Sequence, residues 1–273
     1  MRGRVAFSFN AQPWLFLTLT LGVTWLLGLT AVALQNRLPN ALVLALAYGG
    51  ALSPIGVAAL LAWRHGRSYW RDFWRRVVDW RRIGGRWLLV ILLFFPLRMA
   101  LAALLDAVQG GSGLALEAAA DLAARPWLVF PMLLFWLFFG PVPEEPGWRG
   151  YALDGLQSRY DAVTSSLIVG VFWLAWHLPL FFLAGTWQAT YLGFGTRLFW
   201  LWAVSIVSES VLYTWIYNNT NRSTLAAILF HFAGNATGEL FAISPQAEIY
   251  RTALTVTTVV LVIAIRGRRF LTA

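Results

Sequence analysis

The chain has no cysteine and no lysine. Without cysteine there is no disulfide, no thiol nucleophile and no thiolate metal site. The missing lysine excludes less, because arginine anchors helices equally well, and all 21 basic residues here are arginine. Charge of either sign is scarce: 12% of residues carry one, against about 25% in a soluble domain. Hydrophobic residues make up 59% and aromatic ones 16% of the 273 positions. That composition excludes a soluble globular protein and leaves room for several spans of ~20 residues each. No internal repeat and no low-complexity segment is visible.

The apolar runs follow in order. The first, Pro13 to about Leu34, exceeds a signal-peptide core of ~7–15 residues and reads as a retained signal anchor. A second runs from about Ala41 to Trp63, broken at Ser53-Pro54. Others cover Trp87–Leu105, Trp127–Val142, Val163–Leu183, Leu198–Tyr217, Leu225–Phe241 and Tyr250–Ile265. The expectation is an all-α, polytopic transmembrane helical bundle of about eight spans, with 1–273 forming a single integral-membrane domain. The fourth run is short and is expected to bend among Pro141, Pro143 and Pro146. The segment from Asp106 to Arg125 reads as an acidic, glycine-containing loop.

The net charge of +9 does not point to nucleic acid, because the arginines sit in short loops between apolar runs. With both ends inside, the basic stretch 64–86, Arg149, Arg159, Arg222 and Arg266–Arg269 fall on the cytoplasmic side, together with Arg2 and Arg4. The outside then holds few arginines, as the positive-inside rule asks, and a cell-membrane location follows. Within 64–86, Trp70, Phe73, Trp74, Val77 and Trp80 recur at three- and four-residue spacing among eight arginines. That is an amphipathic interfacial helix, and its expected partner is an anionic headgroup layer.

Few polar residues interrupt the apolar runs. Glu144 and Glu145 lie at the mouth of the fourth, with Arg149 four residues on; His177 interrupts the fifth; His231 and Asn235 share a helix face in the seventh. His65 lies in the basic loop and reads as solvated. Ionisable groups at membrane depth mark functional sites by default. The alternatives are a helix end at headgroup depth for the glutamates and carbonyl-bonded imidazoles for the histidines. A carboxylate and an imidazole can activate water, while an imidazole and a carboxamide can hold an oxyanion. Together they are the parts of an amide hydrolase inside the membrane. Other intramembrane chemistries lack their residues: neither histidine opens a His-Glu-x-x-His zinc motif, and Gly193-Phe-Gly-Thr196 lacks the second aspartate of an aspartyl pair. Gly110-Gly-Ser-Gly113 lies in a loop and reads as a flexible turn, not a serine nucleophile.

Glu144-Glu-Pro-Gly-Trp-Arg149, Trp173-Leu-Ala-Trp-His177 and His231-Phe-Ala-Gly-Asn235 resemble, in order, the three motifs of the CPBP or Abi family, the CAAX proteases and bacteriocin-processing enzymes. The resemblance covers about 127–238. The one departure is Trp173, where the family motif has phenylalanine. It implies an intramembrane glutamate endopeptidase acting on a membrane-embedded protein or peptide. Glu144 and His177 would activate water, and His231 and Asn235 would hold the oxyanion. Glu145 would pair with Arg149. No metal or other cofactor is required, although the same Glu and His residues could bind one. Two other readings stand beside it: a non-catalytic scaffold or self-immunity protein of the same fold, and a transporter in which Arg98 and Glu209 line a path with Glu144. A scaffold need not keep costly polar groups in lipid, and a transporter often shows related halves, which this chain lacks.

Overall fold

The computed structural model describes residues 11–268 and 271, so Arg2, Arg4 and Arg269 lie outside the described residues. The apolar runs form helices, the one open structure that satisfies its own backbone in hydrocarbon. α1 (Pro13–Leu34) begins on a proline, whose missing N–H costs nothing at a first helical position. α2 (Asn40–Ala51) and α3 (Ser53–Arg64) are two halves of one run, bent by 44° beside Ser53-Pro54. The amphipathic α4 (Arg67–Val78) leads into α5 (Gly85–Val108). After β1 (Leu114–Ala115) and α6 (Glu117–Ala124), α7 (Val129–Phe138) runs to a break at Phe139-Gly140. The chain restarts as α8 (Pro141–Gly147), passes through a π-helical stretch, Trp148–Leu153, and ends in the single turn α9 (Asp154–Leu156). α10 (Ala162–His177), α11 (Arg197–Asn219), α12 (Thr224–Leu240), β2 (Ala242–Ile243) and α13 (Ala247–Arg266) complete it. Asp161, Thr196 and Ser223 cap α10, α11 and α12 with their side-chain oxygens.

Among the described residues, six helical segments are each long and apolar enough to cross a membrane, and the bent α2–α3 pair makes a seventh. The eighth expected span is α12, which at 17 residues rises about 25 Å and falls just short of a bilayer core. It is also the helix that carries His231 and Asn235. The fourth span breaks at Gly140 and not among the prolines, because Pro141 opens a new helix where a proline is welcome.

Contacts between chain segments sort them onto two ends. At one, Tyr151 Oη accepts from Gln12 N (3.2 Å) and meets His65 Nε2 (2.9 Å), Arg82 donates to the Asn221 carbonyl, and Asn219 donates to that of Leu271. At the other, Gln35 bonds Phe182 and Ala184, while β1 pairs antiparallel with β2. Both described ends therefore emerge on the same face, as an even number of crossings requires. The expected acidic loop is more structured than its sequence suggests. Asp106, buried, accepts from Gly113 N and Ser244 Oγ and so ties the loop to β2. A two-residue strand leaves no periodicity to read.

The two charges that interrupt the third and sixth runs pair with each other. Arg98 on α5 donates to Glu209 on α11 and, at 2.8 Å, to Thr255 on α13. Two departures concern the basic stretch. Arg76 is 1% exposed; it follows Phe73 by three residues and so shares its buried face. It donates to the Gly150 carbonyl (2.9 Å) and Tyr217 Oη (2.6 Å) and lies 3.8 Å from Asp154. His65 is not merely solvated, because it stacks on Tyr151 as well as bonding it. Partial burial and the neighbouring Arg64 push its pKa below the ordinary histidine value.

Small residues set the closest helix approaches. A Cβ on Gly147 would lie 2.7 Å from the Pro54 carbonyl oxygen, so α3 and α8 touch backbone to backbone. Because neither backbone can yield locally, Gly147→Ala should lower the thermal midpoint in detergent by about 5 °C, as overpacking of about 1–3 kcal/mol implies. A scan matching the wild type would show that the two helices separate freely.

Candidate active site

The site begins with α8, which the bend at Gly140 aims inward. Both glutamates are buried, with Glu144 5% and Glu145 0% exposed. They take different partners. Arg149, one helical turn on and fully buried, donates through Nη1 to Glu145 Oε1 (3.0 Å) and Oε2 (3.1 Å). Its guanidinium sits over two aromatic rings that meet edge to face, 4.6 Å from the Trp173 centroid and 4.1 Å from that of Tyr213, and reaches Ser210 Oγ at 3.4 Å. Arg149 is thus a buried partner of Glu145 and drops out of the loop charges counted for topology. The π-helical stretch gives this turn its extra residue, a feature frequent at functional sites.

From α12, His231 places Nδ1 2.9 Å from Glu145 Oε1. A carboxylate oxygen accepts only, so Nδ1 carries the proton and Nε2 is left for other partners. From α10, His177 Nδ1 lies 2.8 Å from its own helix's Trp173 carbonyl. By the same logic Nδ1–H donates and Nε2 keeps its lone pair. The carbonyl bond thus uses one imidazole nitrogen and leaves the basic one free of it, while the ring packs edge to face against Trp176 and Trp202. Glu144 and His177 share no direct hydrogen bond among the described residues.

Glu144 Oε2 accepts from Trp173 Nε1 at 2.6 Å. Its Oε1 looks toward Gly140. A Cβ built on Gly140 would lie 3.8 Å from Glu144 Oε1 and 3.0 Å from Asn235 Nδ2. The missing side chain therefore lets a carboxamide donor pack closely against the chain break, on the side where a carboxylate oxygen also lies. Gly234, beside Asn235, lets Phe95 approach to within 3.1 Å of where its Cβ would be, which fixes α12 against α5.

All six residues singled out in the sequence thus lie around α8, α10 and α12, with Trp173, Tyr213, Ser210 and Gly140 completing the shell. Trp173 and Tyr213 occur in or beside the motif-bearing segments, but nothing in their spacing shows that one donates to Glu144 and that Arg149 sits over both rings. Among the described residues, no group of three or more His, Asp or Glu is arranged to hold a metal ion.

This geometry coincides with what the chain is similar to. Residues 126–237, which include all three motifs, match the family described as type II CAAX prenyl endopeptidase Rce1-like. Over 251 residues the chain is 29% identical to the CAAX prenyl protease 2 of Methanococcus maripaludis, a match covering 90% of each protein. The similarity spans the transmembrane core as well as the motifs. What the chain is similar to, over its motifs and its helical core alike, is a CAAX-protease-like endopeptidase.

Proposed function

We propose that the protein hydrolyses a peptide bond of a membrane-associated substrate with water activated by Glu144, assisted by the open Nε2 of His177. Asn235 Nδ2–H and the Nε2–H of His231, whose ring is an imidazolium balanced by Glu145, stabilise the oxyanion. Glu145 and Arg149 form the rigid, charge-compensated floor from which Glu144 projects. The observation that carries this reading is the convergence at Gly140, where one point beside the chain break lies 3.8 Å from Glu144 Oε1 and 3.0 Å from Asn235 Nδ2. A water and the carbonyl oxygen it attacks need that pairing of acceptor and donor.

Asn235→Ala should lower kcat by roughly 10²–10³-fold, the size of one oxyanion donor, with little change in KM. Gly140→Ala, which puts a methyl 3.0 Å from Asn235 Nδ2 and so displaces that donor, should do the same. Normal turnover in both would sink the assignment. The relative's name supplies the first probe, a prenylated peptide ending in a CAAX sequence. If the wild type leaves it intact, the substrate lies elsewhere, and membrane proteomes of wild type and Glu144→Ala would be compared to find it.

The whole chain acts as one domain in the cell membrane, with both termini cytoplasmic. Arginines of α4 and its flanks, Arg76 apart, lie against anionic headgroups. The reading is supported by the face shared by the described ends and by the arginine excess there.

A further inference from the structure

We infer that Trp173 is a positioning residue that holds Glu144 in its productive orientation through the indole N–H. This rests on Glu144 being the base, as proposed above. Trp173 is 4% exposed and touches most of the constellation. Its Nε1–H gives Glu144 Oε2 the one hydrogen bond that carboxylate receives among the described residues. Its ring carries the Arg149 guanidinium and meets His231 in a T-shaped contact with centroids 5.4 Å apart, and its carbonyl accepts a hydrogen bond from His177 Nδ1–H. Phenylalanine, which the motif has at this place, can pack against Arg149 but cannot donate.

The consequence is geometric. A glutamate has a free terminal torsion and two equivalent oxygens, so an unbonded carboxylate here would sample several orientations. Pinning Oε2 leaves Oε1 on the side of Gly140 and Asn235, the side of the proposed oxyanion donor. Positioning of this kind lowers the barrier without changing how the substrate is held, so its loss appears in kcat and not in KM.

The test compares three forms of the full-length protein in proteoliposomes on one cleavable peptide: wild type, Trp173→Phe, and Trp173 replaced by benzothienylalanine, a sulfur isostere of tryptophan without the N–H. Both replacements should lower kcat by roughly 10–100-fold, the size of one hydrogen bond to a charged group, with KM within about twofold. The isostere keeps the ring volume and the Arg149 contact, so it remains informative if Trp173→Phe folds poorly. Full kcat in the isostere overturns the inference, as does an effect confined to KM. Glu144→Gln run in parallel separates the two claims: if it is inactive while the isostere is fully active, only the role of Trp173 fails. If Glu144→Gln is itself fully active, the base assignment fails and the inference with it.

Discussion

Glu144→Gln lowers kcat/KM by roughly 10²–10⁴-fold, the usual contribution of a general base, while the protein inserts, folds and melts at or above the wild-type midpoint. The second half of that outcome is the diagnostic one. Glutamine has the shape of glutamate, and its carbonyl oxygen still accepts the Trp173 N–H. What it loses is a charge buried next to a second carboxylate, with no cation of its own in hydrogen-bond contact among the described residues. An isolated buried charge costs stability, so neutralising it does not harm the fold. Activity and stability therefore move apart, as they do where a site keeps a group for chemistry at the fold's expense. The measurement is peptide cleavage in proteoliposomes beside a thermal scan in detergent. A variant that is inactive because it melts early would show that Glu144 serves structure.

The spans and the six polar residues could be read from sequence because hydrocarbon leaves few options: apolar runs must be helices, and charges inside them must be used. His231 and Asn235 at four-residue spacing had to share a face, and Glu145 and Arg149 could pair for the same reason. Contacts made across the bundle were hidden. Nothing along the chain says that the Trp173 indole points at α8, or that the break in the fourth span falls at Gly140 and packs against Asn235. Arg76 was legible in part. It follows Phe73 by three residues, so the periodicity that buried one implied burial of the other, yet a run of eight arginines read as a single lipid-facing surface. The positive-inside count met the same limit at Arg149, whose partner is no headgroup but a carboxylate one helical turn back along the chain.

The adjacent glutamate should answer with the opposite sign. Glu145 and Arg149 are both fully buried, and their pairing is extended by His231 on one side and by Trp173 and Tyr213 on the other. Arg149→Met keeps much of the volume and some contact with the two rings, but leaves the Glu145 carboxylate with His231 alone. Removing one member of a buried pair costs about 3–5 kcal/mol, because the remaining charge is left uncompensated. The thermal midpoint should therefore drop by about 10 °C, and activity should be lost with it, since α8 carries both glutamates. The double variant Glu145→Gln/Arg149→Met removes both charges together, and the carboxamide oxygen it introduces still accepts from His231 Nδ1. It should recover more than half of the lost midpoint, because a neutral pair in a dry site is no worse than an ionic one. Its turnover should stay low, because His231 then lacks the carboxylate that balances a doubly protonated ring at the oxyanion. Recovery of both stability and turnover would mean that the ion pair only fills space. Recovery of neither would place its role in the geometry of the π-helical turn, beyond the reach of charge alone.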